Sequence, residues 1–192
     1  MKIAVCVKYV PVVAQMGFDY TTKTILREGV PSEINPFDRL GLLCAIGLKA
    51  GPADEVLAVS MGPPQAREGL IHCLALGADR AVLLTDRALA GSDTLATARA
   101  LALLLAREQP DLILCGRNST DAETGQVGPE LTDALFREHL EAGIDISPMD
   151  KDVNIAARPQ GRILIDLFTH PETFEHDSFY AAGLSRFQVG RQ

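Results

Sequence analysis

The segment PDLILCGRNSTDAETGQVGPEL (residues 110–131) contains the clearest candidate for chemistry, which is the binding of an anion. Its apolar start is typical of a buried strand, its end has the pattern of a helix, and small or polar residues lie between them. A glycine-rich turn that leads into a helix N-terminus offers free backbone N–H groups, and the helix dipole also favours a phosphate. Asp121, Thr124 and Gln126 could add side-chain hydrogen bonds to phosphate or ribose. An ordinary polar loop before a helix started by proline is the competing interpretation, and these residues alone do not decide between the two.

Two other stretches contain residues that could do chemistry. AGSDT (Ala90–Thr94) resembles a phosphate loop of ATP-pyrophosphatase enzymes, but its residues are also helix caps, so we favour a helix start capped by Ser92. A second group could ligate a metal, but its spacing matches no standard site, so a solvated loop without metal is the better prediction. This group consists of His170, Glu172, Glu175, His176 and Asp177.

Several common signatures are absent. The sequence has no G-x-G-x-x-G run, no Walker A loop and no G-x-S-x-G elbow, and it therefore suggests no catalytic residue. The four cysteines form no C-x-x-C pair, so we expect buried, reduced thiols. They are Cys6, Cys44, Cys73 and Cys115.

Strand-like and helix-like segments alternate four times along the chain, which predicts a doubly wound parallel α/β sheet in three layers, α/β/α. The predicted strands are Lys2–Lys8, Glu55–Met61, Arg80–Thr85 and Asp111–Cys115. The predicted helices lie within residues 34–51, 62–77, 92–108 and 128–140, the first capped by Asn35 with Pro36 at its first position. Ligands bind such sheets beyond the carboxyl ends of the strands, and the 110–131 segment crosses that edge.

Less regular segments complete the organisation. Residues 22–29, TKTILREG, could form a hairpin or an edge strand, and RILIDLF (162–168) is one more plausible strand. We expect a nucleotide-binding domain over residues 1–139 and an extension of uncertain structure over residues 140–192.

Composition limits the class of protein. The 192 residues are 47% apolar and 22% charged, the balance of a soluble globular protein. The formal net charge of −7 argues against a nucleic-acid surface, and no apolar run is long enough to span a bilayer. The amino terminus leads directly into a strand pattern without a signal or transit segment, so we expect a cytoplasmic protein.

Five motifs occur in order along residues 1–135: KIAVCVKYVP, INPFD, VLAVSMGPPQA, LALGADRAVLLTDRALAGSDTLATA and the 110–131 segment. Together they resemble the beta subunit of electron-transfer flavoproteins. The resemblance implies a nucleotide-binding α/β fold, a heterodimer with an alpha subunit, and FAD held mainly by alpha while beta binds AMP, or a second FAD in electron-bifurcating members. It also implies an electron carrier between flavoprotein dehydrogenases and an acceptor such as a quinone-linked protein, with no reaction of its own.

The resemblance also implies which residues bind the nucleotide. The backbone at Cys6, the NPFD segment and Met61 would line the site, and the loop from Gly116 to Val127 would enclose the phosphate. The individual positions are Cys6, Asn35, Pro36, Phe37, Asp38, Met61, Gly116, Arg117, Asn118, Asp121, Thr124, Gly125, Gln126 and Val127.

Two other functions remain open from the residues. One is a stand-alone module on the same fold that binds or senses an adenine nucleotide, and the other is an ATP-pyrophosphatase-type enzyme that uses AGSDT.

Overall fold

The structure is a computed structural model, and it describes residues 1–12, 14, 17–19, 23–26, 29–140, 155–157 and 163–166. Within these ranges the strands are β1 Lys2–Cys6, β2 Tyr9–Pro11, β3 Gly17–Asp19, β4 Thr24–Leu26, β5 Ser32–Ile34, β6 Glu55–Met61, β7 Arg80–Leu84, β8 Leu112–Cys115, β9 Ile155–Ala157 and β10 Ile163–Asp166. The helices are α1 Pro36–Gly47, α2 Ala66–Leu76, α3 Thr94–Glu108 and α4 Val127–Leu140.

Six strands form the main sheet, in the order β7-β6-β1-β8-β10-β9. All neighbouring strands from β7 to β10 are parallel, and only β9 is antiparallel to its neighbour. The chain builds outward from β1 to β6 and β7, and then crosses to β8 on the other side of β1. This order is doubly wound and confirms the predicted fold class.

Helices cover both faces of the sheet, because both faces of its central strands are apolar. Ile3 and Val5 of β1 pack with residues of α1 and α2, such as Leu42 and Leu70. Ala4 lies in the opposite cluster, with residues from α3 and α4. Alternate residues of a strand point to opposite faces, so a run such as KIAVC supplies both layers, and the three-layer architecture is confirmed.

Smaller elements also follow the sequence. The segment TKTILREG contains the strand β4, which pairs antiparallel with β3, so the second strand of this pair comes before the predicted segment. The strands β2 and β5 also pair antiparallel. The predicted strand in RILIDLF is confirmed as β10, which pairs with β8 in the main sheet. The sheet thus includes strands from both sides of residue 139, and the division of the chain at that point stays a prediction. His170, His176 and their acidic neighbours lie outside the described residues.

Some predicted boundaries were wrong, and hydrogen bonds explain two of them. β1 ends at Cys6 rather than Lys8, because the backbone N–H of Lys8 donates to the carboxylate of Asp38. Ser92 was expected to cap α3, but the cap is Asp93, whose carboxylate accepts from the Ala96 N–H at 2.8 Å. The Ser92 hydroxyl donates instead to the Leu89 carbonyl. A helix cap thus accounts for AGSDT.

In the part of the chain that the structure describes, no helix combines the length and the hydropathy needed to cross a bilayer.

Candidate functional site

The gap between β1 and β8 is the switch point of the sheet, because the chain leaves these neighbouring strands toward opposite sides. Doubly wound folds bind ligands outside the carboxyl ends of the strands at this point. The turn after β1, the start of α1 and the loop from Gly116 to Val127 meet here. Hydrogen bonds join these three segments.

Asn35 is the central connector of these segments. It precedes α1 as predicted, but its side chain makes no capping hydrogen bond. Its amide nitrogen donates to the Asn118 carbonyl at 2.8 Å, and its amide oxygen accepts from the Thr120 N–H at 3.2 Å. Its backbone N–H donates to the carbonyl of Lys8 at 2.8 Å. Because Asn35 is fully buried, these bonds hold the base of the Gly116–Val127 loop against β1 and α1.

Asp38 is the second buried polar residue at the junction, with 7% of its surface exposed. Its carboxylate accepts the Lys8 backbone N–H at 2.8 Å. Burial raises the pKa of Asp38 to about 7, although N–H donors from Lys8, Asn35 and Gly116 act in the opposite direction. The carboxyl lies in the first turn of α1, where the helix dipole also favours its charge.

The raised pKa of Asp38 predicts how stability depends on pH. The folded state holds a proton that the unfolded chain, with its ordinary value of 3.8, releases earlier. The stabilisation is therefore complete below about pH 4 and is lost as the pH rises through about 7. We expect the stability of wild type relative to Asp38→Asn to fall by about 2.5 kcal/mol between pH 5 and pH 8, measured by urea unfolding. Parallel pH profiles for the two proteins would contradict this expectation.

Gly116, the first residue after β8, permits the close approach of the loop to α1. A Cβ placed on it would lie 2.2 Å from Oδ1 of Asp38 and 2.8 Å from both the Asp38 nitrogen and the Phe37 carbonyl carbon. Two of these three atoms belong to the backbone and cannot rotate away. Glycine at this position is therefore a packing requirement.

Lys8 was not among the predicted site residues, yet it reaches the loop. Its ammonium lies 2.8 Å from Oδ1 of Asp121 and 3.3 Å from the Ser119 hydroxyl. Burial works to raise the pKa of Asp121, but hydrogen bonds from Lys8 and Ser119 outweigh it and hold that pKa below its ordinary value. The position of Lys8 at the end of a buried strand was the only signal for it in the sequence.

The far part of the loop has a row of backbone N–H groups that runs from the exposed Thr124 to the buried Gly128. No described residue accepts a hydrogen bond from the backbone N–H groups of residues 124–128, which run into the start of α4. Gly125 has φ +61°, the left-handed conformation that favours glycine, and Glu123 has φ +54°. Consecutive free N–H groups in such a turn form an anion-binding concavity.

The loop also contains a buried acceptor with no donor. Oδ1 of Asn118 is inaccessible to solvent and has no hydrogen-bond partner among the described residues. Asn118 as a whole is half-buried. The oxygen and nitrogen of its amide can be exchanged by a flip of the side chain, and in either orientation one buried amide atom has no described partner. A bound molecule with polar groups could satisfy it.

The start of α3 meets the loop at its other end. The Thr94 hydroxyl lies 3.1 Å from Oε1 of Glu130 and 3.3 Å from Oε1 of Gln126. The sequence analysis considered Thr94 only within AGSDT, and it did not select Glu130. The contacts show that AGSDT and the Gly116–Val127 loop are neighbours at one edge of the sheet.

The remaining predicted residues have more indirect positions. Arg117 places its guanidinium carbon 5.9 Å from the centre of the Phe37 ring, a cation–π distance. Pro36 starts α1 as expected. Cys6 and Met61 end β1 and β6 and pack against the buried cluster on the α3/α4 face. All of these residues lie at the carboxyl edge of the sheet.

Comparison with known proteins identifies the family. The model of the electron transfer flavoprotein domain matches residues 22–142, which is more than half of the chain. The electron transfer flavoprotein subunit beta of Clostridium acetobutylicum is 47% identical over 135 residues, 70% of this chain and 52% of that protein. The chain belongs to the electron transfer flavoprotein beta-subunit family. The recognition drawn from the five motifs is confirmed.

Further relatives match over similar lengths. Protein FixA of Azorhizobium caulinodans is 40% identical over 173 residues, 86% of this chain and 62% of that protein. The caffeyl-CoA reductase-Etf complex subunit CarD of Acetobacterium woodii is 46% identical over 153 residues, 79% of this chain and 58% of that protein. The chain therefore spans about half to three fifths of the length of the curated relatives it matches.

Proposed function

We propose that this protein is a beta-type subunit of an electron transfer flavoprotein and that its Gly116–Val127 loop binds the phosphate of an adenine nucleotide, AMP. The observation that carries the nucleotide proposal is the row of free N–H groups at residues 124–128. They lie beyond a buried strand of a parallel sheet and at the start of a helix, where their dipoles add to that of α4.

The chemistry around the loop fits a nucleotide monophosphate. The donors at residues 124–128 suit a phosphate, and the unpartnered amide atom of Asn118 suits a polar group of the base or the ribose. Thr124 and Gln126 lie on the same exposed stretch and can add side-chain hydrogen bonds. Asp121 is engaged by Lys8 and orders the loop, so in this proposal its charge is neutralised and does not oppose the phosphate.

The electron-carrier part of the proposal rests on the family. An electron transfer flavoprotein subunit beta, FixA and CarD are among its relatives, and CarD is named as a subunit of a caffeyl-CoA reductase-Etf complex. We propose that this chain likewise pairs with an alpha subunit, which holds most of the FAD. The FAD would accept and donate the electrons. The pair would carry electrons in the cytoplasm from flavoprotein dehydrogenases to an acceptor, and it would convert no substrate of its own.

Co-expression with an electron transfer flavoprotein alpha subunit tests the pairing. We expect a stable yellow complex containing both chains, from which denaturation releases AMP in a molar ratio near one. A stable, flavin-free homodimer that binds AMP, with no affinity for the alpha subunit, would instead favour a stand-alone nucleotide-binding module.

The chain purified alone should be colourless or weakly yellow, because the described residues supply a nucleotide loop and the proposed flavin site is built mainly by the alpha subunit. Absorbance near the flavin band, compared with protein concentration, measures this directly. Tight stoichiometric FAD on the isolated chain would contradict the expectation and would point to a flavin in the nucleotide site.

A further inference from the structure

Two cysteines lie side by side where β1 and β8 end. Cys6 and Cys115 are register partners on these adjacent parallel strands, and neither takes part in a disulfide. Both are on the α3/α4 face of the sheet, since Cys115 belongs to the buried cluster there and Cys6 packs against it. Neighbouring strands lie about 5 Å apart, which is within the Cα separation of about 4.4–6.8 Å that a disulfide requires. The Cβ atoms of a disulfide lie about 3.5–4.5 Å apart, so closure requires the two strand ends to approach each other.

The other two cysteines are in a different environment. Cys44 in α1 and Cys73 in α2 pack on the opposite face of the sheet. Burial raises the pKa of the Cys73 thiol to about 11, and burial also raises the pKa of Cys44. Because the sheet separates Cys44 and Cys73 from Cys6 and Cys115, neither of them can form a disulfide with Cys6 or Cys115 in the folded protein.

We propose that Cys6 and Cys115 form an oxidisable dithiol that closes to a disulfide by exchange with a low-molecular-weight disulfide. Cys6 is half-buried while Cys115 is only 5% exposed, so the Cys6 thiolate attacks first and expels one small thiol. The Cys115 thiolate then attacks the Cys6 sulfur of the mixed disulfide and expels the second. Two electrons and two protons pass from the protein to the small disulfide, which leaves as two thiols.

The position of the pair connects it to the nucleotide loop, and this part of the inference rests on the proposed function. Gly116 follows Cys115 directly and packs so closely on the start of α1 that even a Cβ would lie 2.2 Å from Oδ1 of Asp38. Lys8, two residues after Cys6, donates its backbone N–H to the same carboxylate. A covalent bridge that draws the two strand ends together displaces the segments that meet at Asp38. We expect the oxidised protein to bind AMP about tenfold more weakly.

Oxidised glutathione applied to the full chain tests the dithiol without any nucleotide. We expect two of the four thiols to be lost, a Cys6–Cys115 linkage in a non-reducing peptide map, and full reversal by dithiothreitol. Cys44→Ser, on the opposite face, should still form the bridge, and Cys6→Ser should not. Four persistent thiols, a stable mixed disulfide on Cys6, or a linkage that involves Cys44 or Cys73 would overturn the proposal.

Calorimetry with AMP on the reduced and oxidised chain tests the link to the loop. Equal affinities for the two forms would refute the regulatory effect. If the Cys6–Cys115 bridge forms but the reduced protein binds no AMP, the dithiol proposal holds and the proposed nucleotide site is wrong. Failure of the dithiol and failure of the nucleotide site therefore give different results.

Discussion

Gly116→Ala should destabilise the protein by about 3 kcal/mol or more, the largest effect that we expect from one added methyl group. The new Cβ would lie 2.2 Å from Oδ1 of Asp38 and 2.8 Å from two backbone atoms at the start of α1. To remove this clash, either α1 must move away from β8 or the Asp38 carboxylate must move and lose its N–H donors. Urea unfolding of the variant and the wild type measures the difference.

Gly47→Ala is the matched control for this substitution. Gly47 is the exposed last residue of α1, and a Cβ there would meet no atom within 4 Å. Because alanine favours the helix, this variant should be about 0.5–1 kcal/mol more stable than wild type. If Gly116→Ala stays within 1 kcal/mol of wild type while Gly47→Ala behaves as expected, the packing of the loop against Asp38 is not as the structure has it.

Gly125→Val should weaken AMP binding about ten- to a hundredfold, equivalent to about 1.5–3 kcal/mol, while the fold is retained. The φ of +61° is strained for a β-branched residue, so the loop must turn and carry its N–H groups away from the phosphate. The fold should tolerate the change, because the nearest atom to the new Cβ is the Arg117 carbonyl oxygen at an ordinary 3.5 Å. Calorimetry with AMP and urea unfolding measure the two effects separately.

Gly29→Val controls for backbone strain alone. Gly29 has φ +77° with no atom within 4 Å of a Cβ, and it lies outside the Gly116–Val127 loop. The variant should bind AMP as tightly as wild type despite a similar conformational cost. Equal affinities of Gly125→Val and wild type would remove the loop from the nucleotide site.

The sheet was predictable from the sequence because its strands are buried on both faces. Continuous apolar runs such as KIAVC and EVLAVSM indicate strands of a parallel sheet, because successive apolar residues are buried on both faces of the strand. The short links with proline or capping residues then divide strands from helices. The edge at which ligands would bind is predicted from the alternation alone, and that the residues at this edge bind a ligand stays a prediction.

The connections within the site were not predictable, because their partners are distant in sequence. Asn35 has the pattern of a helix cap, but its side chain bonds the backbone of residues 118 and 120. Lys8 was assigned to a strand that ends two residues earlier, because the strand pattern does not reveal that Asp38 takes its N–H. Local propensity gives way to such tertiary hydrogen bonds when the groups are buried.

The two glycines of the loop differ in how far the local sequence explains them. Gly125 adopts a positive φ, as is common for a glycine in a tight turn. The steric need for Gly116 was not foreseen, since it arises from the start of α1, almost 80 residues earlier in the chain.

The most direct test of the nucleotide site compares AMP with adenosine, titrated by calorimetry into the protein co-expressed with an alpha subunit and freed of endogenous nucleotide. If the N–H groups of residues 124–128 bind the phosphate, AMP should bind at one site per chain, about ten- to a hundredfold more tightly than adenosine. Gly125→Val should reduce that preference while leaving the affinity for adenosine nearly unchanged. Equal affinities of the wild type for AMP and adenosine, or no binding of AMP by the folded complex, would contradict the account.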